Sequence, residues 1–141
     1  MAQIFYAPKP GRFGTQPMIS DKRLNTGVLA AGTLNLNQGA SPIKSWVDRV
    51  AVCAQVWPSA TSCTLQLFKM TGATAVALTA ALDVNAKTAD VPIQMVMLAN
   101  VTDAQRTLGL GDSLRFAIVA VGAVAVQPVE WTGTISLLAL E

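Results

Sequence analysis

Leu108–Val121 reads LGLGDSLRFAIVAV, and how it is parsed decides the fold. From Leu114 onward, Leu114, Phe116 and Ile118 recur at every second position, the period of a strand with one buried face. The letters before them are turn chemistry. Gly109 and Gly111 are expected to stop a preceding helical turn and to supply a positive φ, while Asp112 and Ser113 hydrogen-bond the turn backbone. The stretch therefore predicts a turn opening into a strand over 113–121.

The same period spreads in both directions. WVDRVAVCAQV (46–56) predicts a strand with Trp46, Val50, Val52, Ala54 and Val56 on one face and Arg49, Cys53 and Gln55 on the other. SCTLQLFKM (62–70) places Cys63, Leu65 and Leu67 inward. Further strands are expected over 27–36, 75–82, 91–98, near 123–127 and over 133–140, with Pro92 near a strand start as an edge allows. About eight strands with turn signals every 8–12 residues indicate an all-β sandwich or barrel. One helical turn is expected at Thr102-Asp103-Ala104-Gln105, which has capping-box spacing, with Gly109 as its stop.

Composition agrees with a packed domain. The 141 residues fit one domain, 52% are apolar, and only 13% are charged, against about 25% in average soluble chains. So little charge leaves apolar surface to be covered by a partner or by further copies. The charge-free run from Phe116 to Val129 contains Gly122 and Pro128 and falls short of the ~20 residues a membrane helix needs, so no membrane association is expected. MAQIFYAPKPGRFG has no apolar core followed by a small-residue cleavage site, so no secretion signal is expected.

Residues 1–27 differ in texture. APKPGRFGTQP holds three prolines and two glycines and has no period. Residues 1–27 are expected to form an extended N-terminal arm, and 28–141 the β-sandwich. The arm is net +3 and the remainder net −1. Ile4, Phe5, Tyr6 and Phe13 are apolar anchors, and Lys9, Arg12, Lys22 and Arg23 are cations. Together they form the expected protein interface. The basic footprint is modest for phosphate binding, so nucleic acid is not an expected partner.

Gly111-Asp112-Ser113-Leu114 also spells the motif that names a group of serine esterases. A serine nucleophile needs a base to take its proton. The chain has no histidine and no Ser-x-x-Lys pair. Phosphate-loop and dinucleotide glycine motifs are absent too. Asp83 and Asp90 bracket a loop with Lys87 between them, which reads as solvated surface. Asn100-Val101-Thr102 spells a glycosylation sequon but reads as part of the helix cap. The chain is expected not to be an enzyme, with no catalytic residue, no cofactor and no metal. Cys53 and Cys63 are expected on successive strands of a hairpin closed at 57–61, out of register for a disulfide, as reduced thiols. Trp46, Trp57 and Trp131 are expected at strand ends. They would line the rim of the sandwich, pack at an interface, or line a carbohydrate or receptor site.

The layout of arm APKPGRFGTQP, strands RVAVCAQV, SCTLQLFKM and LRFAIVAV, and the Leu108–Leu114 turn resembles the jelly-roll cement (decoration) proteins of tailed bacteriophage capsids, those of podophages in particular. The resemblance implies an eight-strand jelly roll. It implies a structural virion protein on the outer capsid surface, made in the bacterial host cytoplasm. Its partners would be the major capsid protein and itself, as a homodimer first and a trimer second. Its function would be to cement neighbouring capsid subunits against internal DNA pressure. The alternative is a receptor- or glycan-binding β-sandwich of a phage fibre or spike.

Overall fold

The computed structural model describes residues 13–24, 36, 37 and 44–140, with side chains described for residues 24 and 44–139. Among these the chain is all-β, with one helical turn. The strands are β1 (Phe13–Arg23), β2 (Leu36–Asn37), β3 (Ser45–Val56), β4 (Ser59–Ala60), β5 (Cys63–Thr71), β6 (Thr74–Ala77), β7 (Leu82–Asp83), β8 (Ile93–Gln94), β9 (Thr107–Leu108), β10 (Ser113–Val121), β11 (Val124–Val126) and β12 (Val129–Leu140), and the helical turn is α1 (Asp103–Arg106).

Two antiparallel sheets share one core. The first runs β1-β12-β3-β8, with β9 also on β3, and the second runs β2-β10-β5-β6, with β7 also on β5. A two-stranded ribbon, β4 with β11, closes one end. The core takes inward residues of both sheets, including Val50, Val52, Leu65, Leu67, Leu114, Phe116, Ile118, Trp131 and Ile135, each at most 2% exposed. Leu114, Phe116 and Ile118 therefore point inward as their alternation predicts, and β10 spans the expected 113–121.

The two sheets are also stitched along one flank. The expected single strand over 75–82 is split into β6 and β7, because Thr79 leaves the β5 ladder and bonds in its place. The Leu67 N–H donates to Thr79 Oγ1 (3.1 Å), and Gln66 Nε2 donates to the Thr79 carbonyl (2.7 Å). The departing segment meets the next one. Thr79 bridges Met97, the Ala80 N–H donates to Val96 O, and the Met95 N–H donates to Val50 O. Backbone bonding thus continues from β5 through 78–80 and 95–98 to β3. The strand expected over 91–98 shrinks to β8 because these residues are shared between the two sheets.

The arm boundary at 27 does not hold for the described residues. Phe13–Arg23 is a strand, β1, paired antiparallel with β12 from Phe13↔Leu140 to Arg23↔Thr132. Pro17 sits next to a register shift, where an edge strand tolerates a missing donor. Leu24 is fully buried, and its N–H donates to Trp131 O (2.8 Å). Residues 1–12 lie outside the described residues, as does the expected strand over 27–36 apart from Leu36.

Three local expectations are corrected. Cys53 and Cys63 are not on one hairpin: β3 pairs β12 and β5 pairs β10, so they belong to different sheets, as free thiols. Trp46 does not share a face with Val50. A bulge between the pairs Ser136↔Arg49 and Leu137↔Val47 adds one residue, Asp48, and inverts the alternation, so Val47 is buried and Trp46 turns to the outer face. The helical turn has the expected capping box, with the Gln105 N–H donating to Thr102 Oγ1 and the Thr102 N–H donating to Gln105 Oε1. It ends at Thr107, which is already extended, and not at Gly109.

Candidate functional site

The Gly-Asp-Ser-Leu stretch is a structural joint. The Asp112 N–H donates to Gly109 O (3.1 Å), which closes a turn over 109–112, and Gly111 holds φ +89°, as the third residue of a type II turn requires. The Asp112 carboxylate reaches back. Oδ2 accepts from the Gly109 N–H (2.9 Å), and Oδ1 accepts from Thr71 Oγ1 (3.0 Å). Lys69 Nζ lies 3.7 Å from Oδ2 and donates to Thr107 O (2.7 Å) and Ala104 O (3.3 Å). Lys69 thus ties the end of α1 to the turn. Burial by itself would raise the Asp112 carboxyl. The Gly109 and Thr71 bonds and the Lys69 charge outweigh it and hold the group below the usual carboxylate range. Ser113 starts β10 opposite Met70. The acidic neighbour that the esterase motif offers it is committed to the turn.

A second cationic group is spent on structure next to this joint. Beyond the pairs with β9 (Ser45, Trp46) and β8 (Ala51, Val52), the free edge of β3 has a gap. Arg106 fills it. Its Nε donates to Val47 O (2.9 Å), one Nη donates to Asp48 O (2.8 Å), and the guanidinium carbon stacks 3.8 Å from the centroid of Trp46. The carbonyls that the bulge turns out of the ladder thereby find donors.

The tryptophans expected at the rim are not exposed there. Trp131 lies inside β12 and is fully buried. Trp57 is 4% exposed, and its Nε1 donates to Thr88 O (2.8 Å). Trp46 is half-buried beneath Arg106. Trp57 and Trp131 belong to the core between the sheets, whereas Trp46 packs on the outer face against the Arg106 guanidinium. Of the expected interface residues, Ile4, Phe5, Tyr6, Lys9 and Arg12 lie outside the described residues. Phe13, Lys22 and Arg23 sit in β1, at the register positions of Leu140, Gly133 and Thr132.

Sequence reasoning missed two surface features. Val56, Val126 and Val129 are 38–44% exposed at the end closed by the β4–β11 ribbon, and Val56 and Val129 are cross-strand partners. Each terminates or begins a strand; alternation gave Val56 an inward face, and Val126 and Val129 were assigned none. The other is a shallow pocket of about 230 Å³ on the outer face of the β12–β3–β8 sheet, lined by Arg49, Val50, Ala51, Gln94, Thr134 and Ser136. Cys63 is buried, which, with Asp83 nearby, pushes its thiol up to about 11. Among the described residues no cluster of His, Cys, Asp and Glu could hold a metal ion, and no helix is long and apolar enough to cross a membrane. Comparison with family models, with curated proteins and with solved structures finds no match to this chain.

Proposed function

We propose that the chain is a structural virion protein that binds the outer surface of a tailed-phage capsid and cements neighbouring major capsid protein subunits. In this reading the sandwich is a jelly roll whose main strands carry the short ones as extensions, and copies also pair with each other. The observation that carries the reading is where the polar groups go. Lys69, Asp112 and Arg106 are consumed by backbone and by one another, while Val56, Val126 and Val129 stand exposed at one end. An apolar patch on a domain of low charge suits a docking surface. Repeated modest contacts over a shell add by avidity.

The test is cosedimentation of the full chain with undecorated capsid shells. The full chain should pellet with shells, and deletion of residues 1–12 should reduce occupancy without unfolding the domain. Val126→Ser with Val129→Ser should also reduce it. A folded full-length chain that stays in the supernatant sinks the proposal.

A further inference from the structure

The outer face of the β12–β3–β8 sheet is interrupted at Ala51. Its register places residues in rows: Gln94, Ala51 and Thr134 stand side by side, and Arg49 and Ser136 form the adjacent row. Directly opposite residues lie about 4.5–5.5 Å apart. A methyl group between an amide and a threonine therefore leaves a dent, and that dent is the pocket of about 230 Å³.

The dent has a hydrocarbon floor at Ala51 and a hydrogen-bonding rim. Gln94 and Ser136 each carry a donor and an acceptor. Arg49 supplies the cation. Its side chain is 68% exposed, and its Nε contacts Asp48 Oδ2 at 3.3 Å, a contact that engages one edge of the guanidinium. The planar fork matches a carboxylate in two-point geometry. The volume lies below the ~300–1,000 Å³ of pockets for drug-sized ligands, so it suits one small ring or acid. In the backbone register Asp21 is the partner of Thr134 on the side away from Ala51, one strand from the Thr134 rim and two strands from the Ala51 floor. Arg49 stands on β3, two strands from Asp21, so an anion is taken at the Arg49 end of the dent and not at the Thr134 end.

We propose that this pocket binds a hydroxylated carboxylate, an acidic sugar residue, either free or terminal on a glycan. Arg49 takes the carboxylate, Gln94 and Ser136 take hydroxyls, and Ala51 meets the ring's hydrocarbon face. The site does not depend on the capsid reading. Being shallow and solvated, it should bind with a Kd on the order of 1 mM.

The test is amide-resolved NMR titration of the full chain with glucuronate, glucose and glucose 6-phosphate, plus retention on an immobilised glycan ending in glucuronate. Glucuronate should shift the Ala51, Gln94, Thr134 and Ser136 amides saturably, and glucose should not. Retention on the immobilised glycan marks the terminal sugar as the ligand, and its absence marks the free acid. Arg49→Ala should weaken binding about tenfold, as loss of a charge-assisted bond predicts. Ala51→Leu should fill the dent and abolish binding while the spectrum stays dispersed. Asp48→Asn should strengthen binding severalfold by removing the competing carboxylate. Equal response to glucose, stronger response to glucose 6-phosphate, unchanged binding in Ala51→Leu, or no saturable shift in folded protein each overturns the proposal.

Discussion

The Phe116 ring occupies the place where residue 133 would carry a side chain. A Cβ built on Gly133 stands 2.5 Å from Phe116 Cζ and 2.6 Å from Cε2. The glycine lies mid-strand in β12, between Val52 of β3 and Lys22 of β1, and lets the ring cross the core from β10. Gly133→Ala should cost about 1–3 kcal/mol through overpacking. Phe116→Leu should recover part of that loss in the double mutant, because the two sites share one volume. Urea denaturation of the four proteins in the cycle measures it. An additive result would remove the argument for direct packing.

Arg106→Lys is expected to be a costly exchange. A lysine cannot donate to Val47 O and Asp48 O in one plane while stacking on Trp46. The variant should lose about 1–3 kcal/mol, and its near-ultraviolet circular dichroism should change with the Trp46 environment. Stability equal to wild type would show that water serves these carbonyls as well.

The two thiols should separate chemically. Cys53 is half-buried and should react with iodoacetamide in the native protein, whereas Cys63 is fully buried and should react only on unfolding. The folded pKa of Cys63 is raised from 9.0 to about 11. Below pH 9 the thiol is protonated in both states and carries no pH dependence. Between pH 9 and 11 only the unfolded thiol ionises, so stability should fall by up to about 1.4 kcal/mol per pH unit. Cys63→Ala should flatten this slope, whatever it costs in packing.

Ser113 and Asp112 should differ in importance, in the direction opposite to a hydrolase. Ser113→Ala should cost less than about 1 kcal/mol, since the turn's bonds run through Asp112. Asp112→Ala should cost about 1.5–3 kcal/mol, discounted for its partial exposure. Its carboxyl is held low in the folded state, so its contribution is present above the unfolded pKa and lost as pH falls through the folded one. Asp112→Asn should weaken that loss in acid titrations.

Two truncations should behave differently. Removing residues 1–12 should leave the thermal midpoint nearly unchanged. Removing residues 1–23 takes away β1, exposes the edge of β12, and should lower the midpoint sharply or aggregate the protein. Matching midpoints would place β1 outside the cooperative unit.

Several features were legible because they depend on near neighbours in sequence. Leu114, Phe116 and Ile118 announce a strand by period alone. The Thr102–Gln105 capping box and the positive φ at Gly111 follow from side chains that satisfy backbone within four residues. The dent at Ala51 was not legible, because Gln94, Ala51 and Thr134 come together only through strand register.

By itself the sequence determined an all-β chain of low charge, its main strand positions, and a serine with no histidine to activate it. The tertiary structure alone decided the faces that a bulge or a distant partner sets. A one-residue bulge at Asp48 inverts the start of β3 and sends Trp46 outward beneath Arg106. Long-range pairing with β12 converts half of a proline-rich arm into a sheet edge. Both outcomes rest on partners more than fifty residues away. Their hydrogen-bond registers and packing volumes exist only once the sheets have formed.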